Sequence, residues 1–294
     1  MQSKFPNRLF PFVVLLPTLL VCGLFLYYPV AQSFSWSLYR AAFMGLRTMY
    51  VGVQNYVRMF TSSDYLHTLW VSVLFAGGIV ILGLSISLAI ALLANRKIRG
   101  ARIYRIALIW PYALSPAVAG TIWLFLFNPT AGAVNYILEN TIGISPDWIT
   151  NANLAMLLVV TAAVWKNLGY NIVFFLAGLQ NVPGHVIEAA RIDGAGPWRC
   201  FWKITLPLLS PTTFFLLIMN MIYAFFGTFG LIDVLTKGGP AGATNILIYN
   251  MYRDAFQHNK WGMAAAQSVV LFVMVVGLTL IQFRTTGRRV HYGG

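Results

Sequence analysis

Residues Glu188 to Pro211 read EAARIDGAGPWRCFWKITLPLLSP, and the rest of the chain is best read outward from them. Pro183-Gly184 just upstream is a turn signal, and Val186 to Ile192 is composed to form a short helix. Gly194, Gly196 and Pro197 end that helix, because glycine and proline past the last turn halt it. A second short amphipathic stretch, Trp198 to Ile204, leads into Leu206-Pro207. On either side lie long apolar runs: Trp148 to Ile187, interrupted by Lys166 alone, and Ile204 to Ile232, with no Asp, Glu, Lys or Arg. A polar helical elbow between two such runs belongs to a chain that leaves a membrane and re-enters it. Glu188, Arg191 and Asp193 on that elbow suit a groove on a soluble partner. A self-contained interfacial loop is the other reading that spacing allows.

Further charge-free runs extend over Leu9 to Tyr39, Tyr65 to Asn95, Ile106 to Leu138 and Trp261 to Phe283. About 20 apolar residues cross a bilayer as a helix. Six spans are therefore expected, at roughly 10–35, 68–94, 104–127, 154–179, 205–232 and 264–283. The runs are too uniformly apolar for the alternating strands of a membrane barrel. The expected class is all-α and polytopic, a single transmembrane domain over residues 1–294. Lys4 and Arg8 before the first run resemble a signal peptide, but the run is long, holds Pro11, Pro17 and Pro29, and lacks a small-residue cleavage site. It is read as a retained helix. Pro111 and Pro116 should break the third span near its cytoplasmic start, as a fixed bend or as a pivot.

Composition agrees. The 294 residues are 59% hydrophobic and 9% charged, with a mean hydropathy of +0.72. Soluble domains carry about 25% charged residues, so a soluble enzyme, a disordered chain and a disulfide scaffold are excluded. Cys22 and Cys200 lie far apart and suggest neither a disulfide nor a metal pair. The net charge of +13 is an orientation signal and not a nucleic-acid surface, because Lys and Arg collect on the cytoplasmic side of membrane proteins. Thirteen basic residues fall in the N-terminus (Lys4, Arg8), the 95–105 loop (Arg96, Lys97, Arg99, Arg102, Arg105), the 180–203 loop (Arg191, Arg199, Lys203) and the tail (Arg284, Arg288, Arg289). The opposite side has six: Arg40, Arg47, Arg58, Lys237, Arg253 and Lys260. Both termini and the 180–203 elbow are thus expected on the cytoplasmic side. The outer segment 36–67, with Gly52, Asn55 and Tyr56, reads as an amphipathic stretch at the interface. Segments 128–153 and 233–263, the latter with Gly238-Gly239-Pro240, Tyr249 and Tyr252, are outer loops.

No Gly-x-x-x-x-Gly-Lys-Ser/Thr phosphate loop is present. The four histidines are scattered without metal-ligand spacing, and no Ser/His/Asp set stands out. The chain is read as no enzyme and as binding no cofactor itself. All seven acids fall outside the span cores, which argues against an ion-coupled secondary transporter. Lys166 is the exception among the cations. Twelve residues from Leu154 at about 1.5 Å each put it roughly 18 Å deep, near mid-membrane. An ionisable group there faces a pore, a partner subunit or a polar cluster, and an anionic substrate such as a phosphate ester would gain from it. Tyr170 and Asn171 further along the span, and Asn220, Tyr223 and Gln267 in other spans, are candidates for the same path. Hydrogen bonding between helices is their alternative role.

Glu188-Ala189-Ala190, then Asp193-Gly194-Ala195, then Ile204-Thr205-Leu206-Pro207-Leu208-Leu209-Ser210-Pro211 resembles the EAA motif of permease subunits of binding-protein-dependent ABC importers. That resemblance covers most of the chain and implies an ABC type I importer permease fold. It also implies that Glu188, Ala189, Ala190, Arg191, Asp193, Gly194, Ala195 and Pro197 form the coupling helix and its exit, docked on a cytoplasmic ATPase. The partners it implies are a second homologous permease, two ATPase subunits carrying ATP and magnesium, and an extracytoplasmic substrate-binding protein. Transport would proceed by alternating access. Residues 110–119 (WPYALSPAVA), 124–129 (LFLFNP), 223–229 (YAFFGTF) and 264–271 (AAAQSVVL) are similar to the glycerol-3-phosphate branch of the carbohydrate-uptake group. The expected substrate is glycerol-3-phosphate or a glycerophosphodiester, with a neutral sugar as the alternative. Gly227 departs from the acidic residue expected of that branch.

Overall fold

Residues 10–42, 47–95 and 101–285 are described in the computed structural model of the chain. They fall into two compact units, one of residues up to 63 with 251–270, the other of 64–250 with the residues from 271 onward. Lys4, Arg8, Arg96, Lys97, Arg99, Arg288 and Arg289, which helped to assign the cytoplasmic side, lie outside the described residues.

The first unit starts with α1 (Phe10–Cys22), a π-helical turn at Gly23–Tyr27 and α2 (Tyr28–Ser37). Pro17 inside α1 removes one backbone donor, and the Tyr28 amide donates to the Gly23 carbonyl five residues back. Together these segments make one apolar helix, Pro11–Ser37, whose most apolar stretch buries none of its residues within the chain. Next comes a hairpin, β1 (Tyr39–Ala42) paired antiparallel with β2 (Arg47–Tyr50), Tyr39 opposite Tyr50. Their rings meet edge to face at 5.4 Å, the cross-strand aromatic contact that favours pairing. Sequence reading did not foresee this strand pair in the stretch 36–67. The amphipathic stretch expected there includes a helix, α3 (Gln54–Thr61). The buried Asn55 amide pins α3 by donating to the carbonyls of Ser37 at 2.7 Å and Tyr39 at 2.9 Å.

In the second unit α4 (Ser63–Ala94) buries Tyr65, Thr68, Ser72, Phe75, Ala76, Ile79, Gly83, Ser87 and Ala91. Steps of three and four put them on one stripe of a helix. The Arg105 guanidinium donates to the Ala94 carbonyl at 3.3 Å, capping the end of α4. The third span is broken. α5 (Ala101–Ile109) runs into a 3₁₀ turn, Trp110–Ala113, and α6 (Pro116–Leu126) leaves at 104° to it. The expected bend is thus a full break, because Pro111 and Pro116 stand one turn apart and Ser115 starts a new helix, its hydroxyl accepting from the Val118 amide. Glycines hold both arms. A Cβ on Gly169 would lie 2.8 Å from the Ile109 backbone, and one on Gly120 would lie 3.1 Å from the Leu231 carbonyl.

α7 (Ala133–Ile142) follows, then the longest buried helix, α8 (Ala152–Gln180), started by the Asn151 side chain accepting from the Asn153 and Leu154 amides. α9 (Gly184–Ile192), α10 (Pro197–Cys200), a π turn (Phe201–Thr205) and α11 (Leu206–Leu208) form the elbow. α12 (Ser210–Ile222) with the π turn Tyr223–Gly227 is the fifth crossing, starting five residues later than expected, and α13 (Phe229–Leu235) is separate from it. α14 (Leu247–Tyr252) and α15 (Trp261–Thr285) complete the order. Ala91, Ile172, Phe175, Leu176, Leu179, Leu209 and Leu216 form a shared core of α4, α8 and α12 with the residue before it. Among the described residues five helices are long and apolar enough to cross a membrane, and the bent pair makes a sixth.

Candidate functional site

The elbow owes its shape to its backbone. Asp193 caps α9, the Gly194 amide donates to the Arg191 carbonyl at 3.1 Å, and the Ala195 amide donates to the Ala190 carbonyl at 2.9 Å. This pair of bonds is the Schellman closure, which needs a left-handed residue just past the cap. Gly194 supplies it at φ +82°. The motif is therefore a geometric requirement as much as a sequence pattern. Glu188, Ala189, Arg191, Asp193 and Pro197 are exposed, and Ala190 and Ala195 are half-buried. No ion pair involves Glu188, Arg191 or Asp193 among the described residues. Two further residues stand out only in three dimensions: Ile192 is 87% exposed and Trp198 74%. Charges without an ion pair among the described residues thus surround an exposed isoleucine. Behind it Cys200 is buried, its thiol 3.6 Å from the Ala195 carbonyl.

Lys166 sits at the centre of α8, fourteen residues from either end. It is 6% exposed. Its ammonium lies over the Tyr112 ring at 5.4 Å and the Tyr223 ring at 5.7 Å. No carboxylate pairs with it among the described residues. A lysine at a span centre costs about 3 kcal/mol, and each desolvated ring face offsets up to about 2 kcal/mol of that. The rings therefore make the lysine tolerable without neutralising it. Tyr112 reaches Lys166 from the 3₁₀ break of the third span, and its ring meets that of Tyr170 at 5.4 Å. Tyr170 continues to Phe174 at 4.8 Å and Phe174 to Phe215 at 4.9 Å.

The other candidates separate. The Asn220 amide donates to the Asn171 side-chain carbonyl at 2.7 Å and the Leu216 carbonyl at 2.8 Å, while Asn167 and Asn171 donate to the Asn220 side-chain oxygen at 2.9 and 3.0 Å. Asn171 and Asn220 are fully buried. Gly83 of α4 covers them; a Cβ there would touch the Asn220 oxygen at 3.6 Å. The Tyr223 hydroxyl donates to the Ala163 carbonyl at 3.3 Å. A Cβ on Gly227 would lie 2.6 Å from the Tyr223 ring, so this ring occupies the space that the acidic side chain expected at 227 would need. Gln267 donates to Asp254 at 2.6 Å within the first unit. Tyr112 was not singled out by sequence reasoning. Its neighbour Pro111 was read only as a bend, and only the break brings the ring to α8. No group of three His, Cys, Asp or Glu side chains fit to hold a metal is found among the described residues.

A set of apolar crossings, a polar elbow closed by a left-handed glycine and a buried cation at mid-span define a membrane permease. The chain belongs to the family of inner membrane components of binding-protein-dependent transport systems, which matches residues 79–286. It is 46% identical over 289 residues to the sn-glycerol-3-phosphate transport system permease protein of Rhizobium meliloti, covering 98% of each chain. The corresponding protein of Agrobacterium fabrum is 46% identical over 294 residues with full coverage of both. That of Yersinia pestis is 43% identical over 282 residues, 96% of this chain and 95% of that one. The fold matches a solved bacterial ABC transporter involved in the import of the acidic polysaccharide alginate, at a TM-score of 0.81 and 20% identity over 95% of both chains. It also matches a structure of a bacterial alginate ABC transporter in complex with an alginate pentasaccharide-bound periplasmic protein, at 0.82 and 20% identity over 97% of this chain and 96% of that one. The protein is thus a multi-pass inner-membrane component of a binding-protein-dependent transport system, a transport subunit and not an enzyme.

Proposed function

We propose that this permease forms half of an ATP-driven path importing sn-glycerol-3-phosphate or a related glycerophosphodiester. The observation that carries this reading is the buried, un-neutralised Lys166 at the centre of α8, in a chain 43–46% identical over nearly its whole length to glycerol-3-phosphate permeases. A phosphate group is the complement that such a cation lacks. Tyr170 and Tyr223 flank the path beside Lys166. Asn171 and Asn220 brace it from behind, and Gln267 acts at the outer end of α15.

The chain works as one permease domain over residues 1–294, with both termini in the cytoplasm and a coupling elbow at about residues 180–203. A second homologous permease completes the path, two ATPase subunits bind ATP and magnesium, and an extracytoplasmic binding protein delivers the substrate. Glu188, Ala189, Ala190, Arg191, Asp193, Gly194, Ala195 and Pro197 make the contact with the ATPase. α9, stiffened by its Schellman closure, carries the closing motion of the ATPase pair to α8 on one side and α12 on the other. Support comes from the exposure of Glu188, Arg191 and Asp193 and from the place of α9 in the segment that joins α8 to α12.

The test is uptake into vesicles holding the whole transporter. With ATP inside and binding protein outside, labelled sn-glycerol-3-phosphate is expected to accumulate and a maltose-type sugar to be excluded. Accumulation of the sugar in place of the phosphate ester overturns the substrate assignment.

A further inference from the structure

Lys166 has no partner that neutralises it, and two tyrosines near it differ in one decisive respect from a third. The Tyr223 hydroxyl is already donated to the Ala163 carbonyl. The Tyr112 hydroxyl has no hydrogen-bond partner among the described residues, and Tyr112 is 43% exposed. The Tyr170 hydroxyl is equally uncommitted and its side chain half-buried. Tyr170 lies one turn past Lys166 on the same face of α8, and its ring packs on that of Tyr112 at 5.4 Å. Beside the Lys166 ammonium thus stand two packed phenols whose O–H groups are uncommitted among the described residues, whereas that of Tyr223 is already used.

We propose that Lys166 and the hydroxyls of Tyr112 and Tyr170 form the site in the permease that receives the phosphoryl group of the passing substrate. Resting on the substrate reading above, the proposal makes Tyr112, on the broken third span, a specificity-determining residue. The chemistry fits a phosphate ester. Its ionised phosphoryl oxygens are acceptors only, so they match an ammonium with three donors and phenols with one each. Charge-assisted bonds of this kind are about twice as strong as neutral ones. A neutral polyol would leave the ammonium unmatched, which makes the same three groups a filter against sugars. The geometry is held from outside the site. Gly169 allows the Ile109 backbone onto α8, where a Cβ would stand 2.8 Å away, and Gly120 and Gly230 allow α6 and α13 to approach, since a Cβ on either would stand 3.1 or 3.3 Å from the backbone of the other helix. Tyr112 is therefore presented by a rigid corner and is not a swinging side chain on a loop.

The experiment uses the reconstituted transporter with saturating, loaded binding protein, and reads uptake of labelled sn-glycerol-3-phosphate together with ATP hydrolysis and subunit co-purification. Lys166→Gln and Tyr112→Phe are each expected to lower uptake by about 10-fold or more, the scale of a lost charged hydrogen bond. Tyr170→Phe should act like Tyr112→Phe, Lys166→Arg should restore part of the uptake, and Tyr223→Phe should cost less than either phenol of the site. Subunit co-purification and basal ATP hydrolysis should persist in all of them, which separates the site from misassembly. Equal or greater loss in Tyr223→Phe, or wild-type uptake in Tyr112→Phe and Tyr170→Phe, overturns the proposal and leaves the substrate assignment standing. Failure of the wild-type transporter to import the phosphate ester overturns that assignment and the proposal with it.

Discussion

The centre of α8 and the tip of α9 both carry charge, and the chain treats the two differently. At the centre, Lys166 is enclosed by rings and backed by an asparagine network in which every side-chain amide has a partner. At the tip, Glu188, Arg191 and Asp193 stand in the open around an exposed Ile192, and only the backbone is satisfied. The first region is shaped by the cost of unpaired polar groups in a membrane. The second pays no such cost and is free to be shaped by a partner. Damage to the first should therefore appear as lost transport or lost stability, and damage to the second as lost association with a fold that persists.

The largest expected effect reverses the central charge. Lys166→Glu should lower uptake of the phosphate ester by at least about 100-fold, since attraction becomes repulsion in a low dielectric; the same preparation should still capture the ATPase. Next, Asn220→Leu strands the Asn167 and Asn171 amides beneath Gly83 and should cost about 2–3 kcal/mol, read as a lower midpoint of thermal unfolding in detergent. An unchanged midpoint would mean that the network is not what braces α8 against α12. Gly194→Val forces a β-branched residue into the left-handed region and should cost about 1–2 kcal/mol locally, read as loss of ATPase co-purification with normal membrane insertion. The smallest effect on the fold belongs to Ile192→Ser. At 87% exposure it should change the stability of the chain by no more than about 0.5 kcal/mol and yet weaken ATPase capture. A large loss of stability there would erase the contrast between the two regions.

Much of this was legible without coordinates. The apolar runs located six crossings to within a few residues at most ends, because desolvating the backbone in lipid leaves a helix as the one local solution. The elbow was legible for a similar reason: Gly194, Gly196 and Pro197 act on their own backbone, and a left-handed turn needs no distant neighbour to be recognised. The strand pair of Tyr39–Ala42 with Arg47–Tyr50 was not, since its strands are four residues each and are stabilised by contacts between them, not by a signal within either. The break of the third span was foreseen as a bend, but its 104° angle rests on contacts with α8 and α13 that no local signal encodes.

By itself, then, the sequence determined the class of the molecule, the order of its crossings, their expected sidedness and the glycine-closed elbow, all of which follow from properties of consecutive residues. Only the tertiary structure decided which polar groups in the spans are already committed. Asn171 and Asn220 satisfy each other, the Tyr223 hydroxyl is tied to Ala163, and Tyr112 arrives beside Lys166 from 54 positions earlier in the chain. Whether a buried donor is free depends on what stands within about 3 Å of it in space, and for these groups the neighbours that decide it come mostly from other helices.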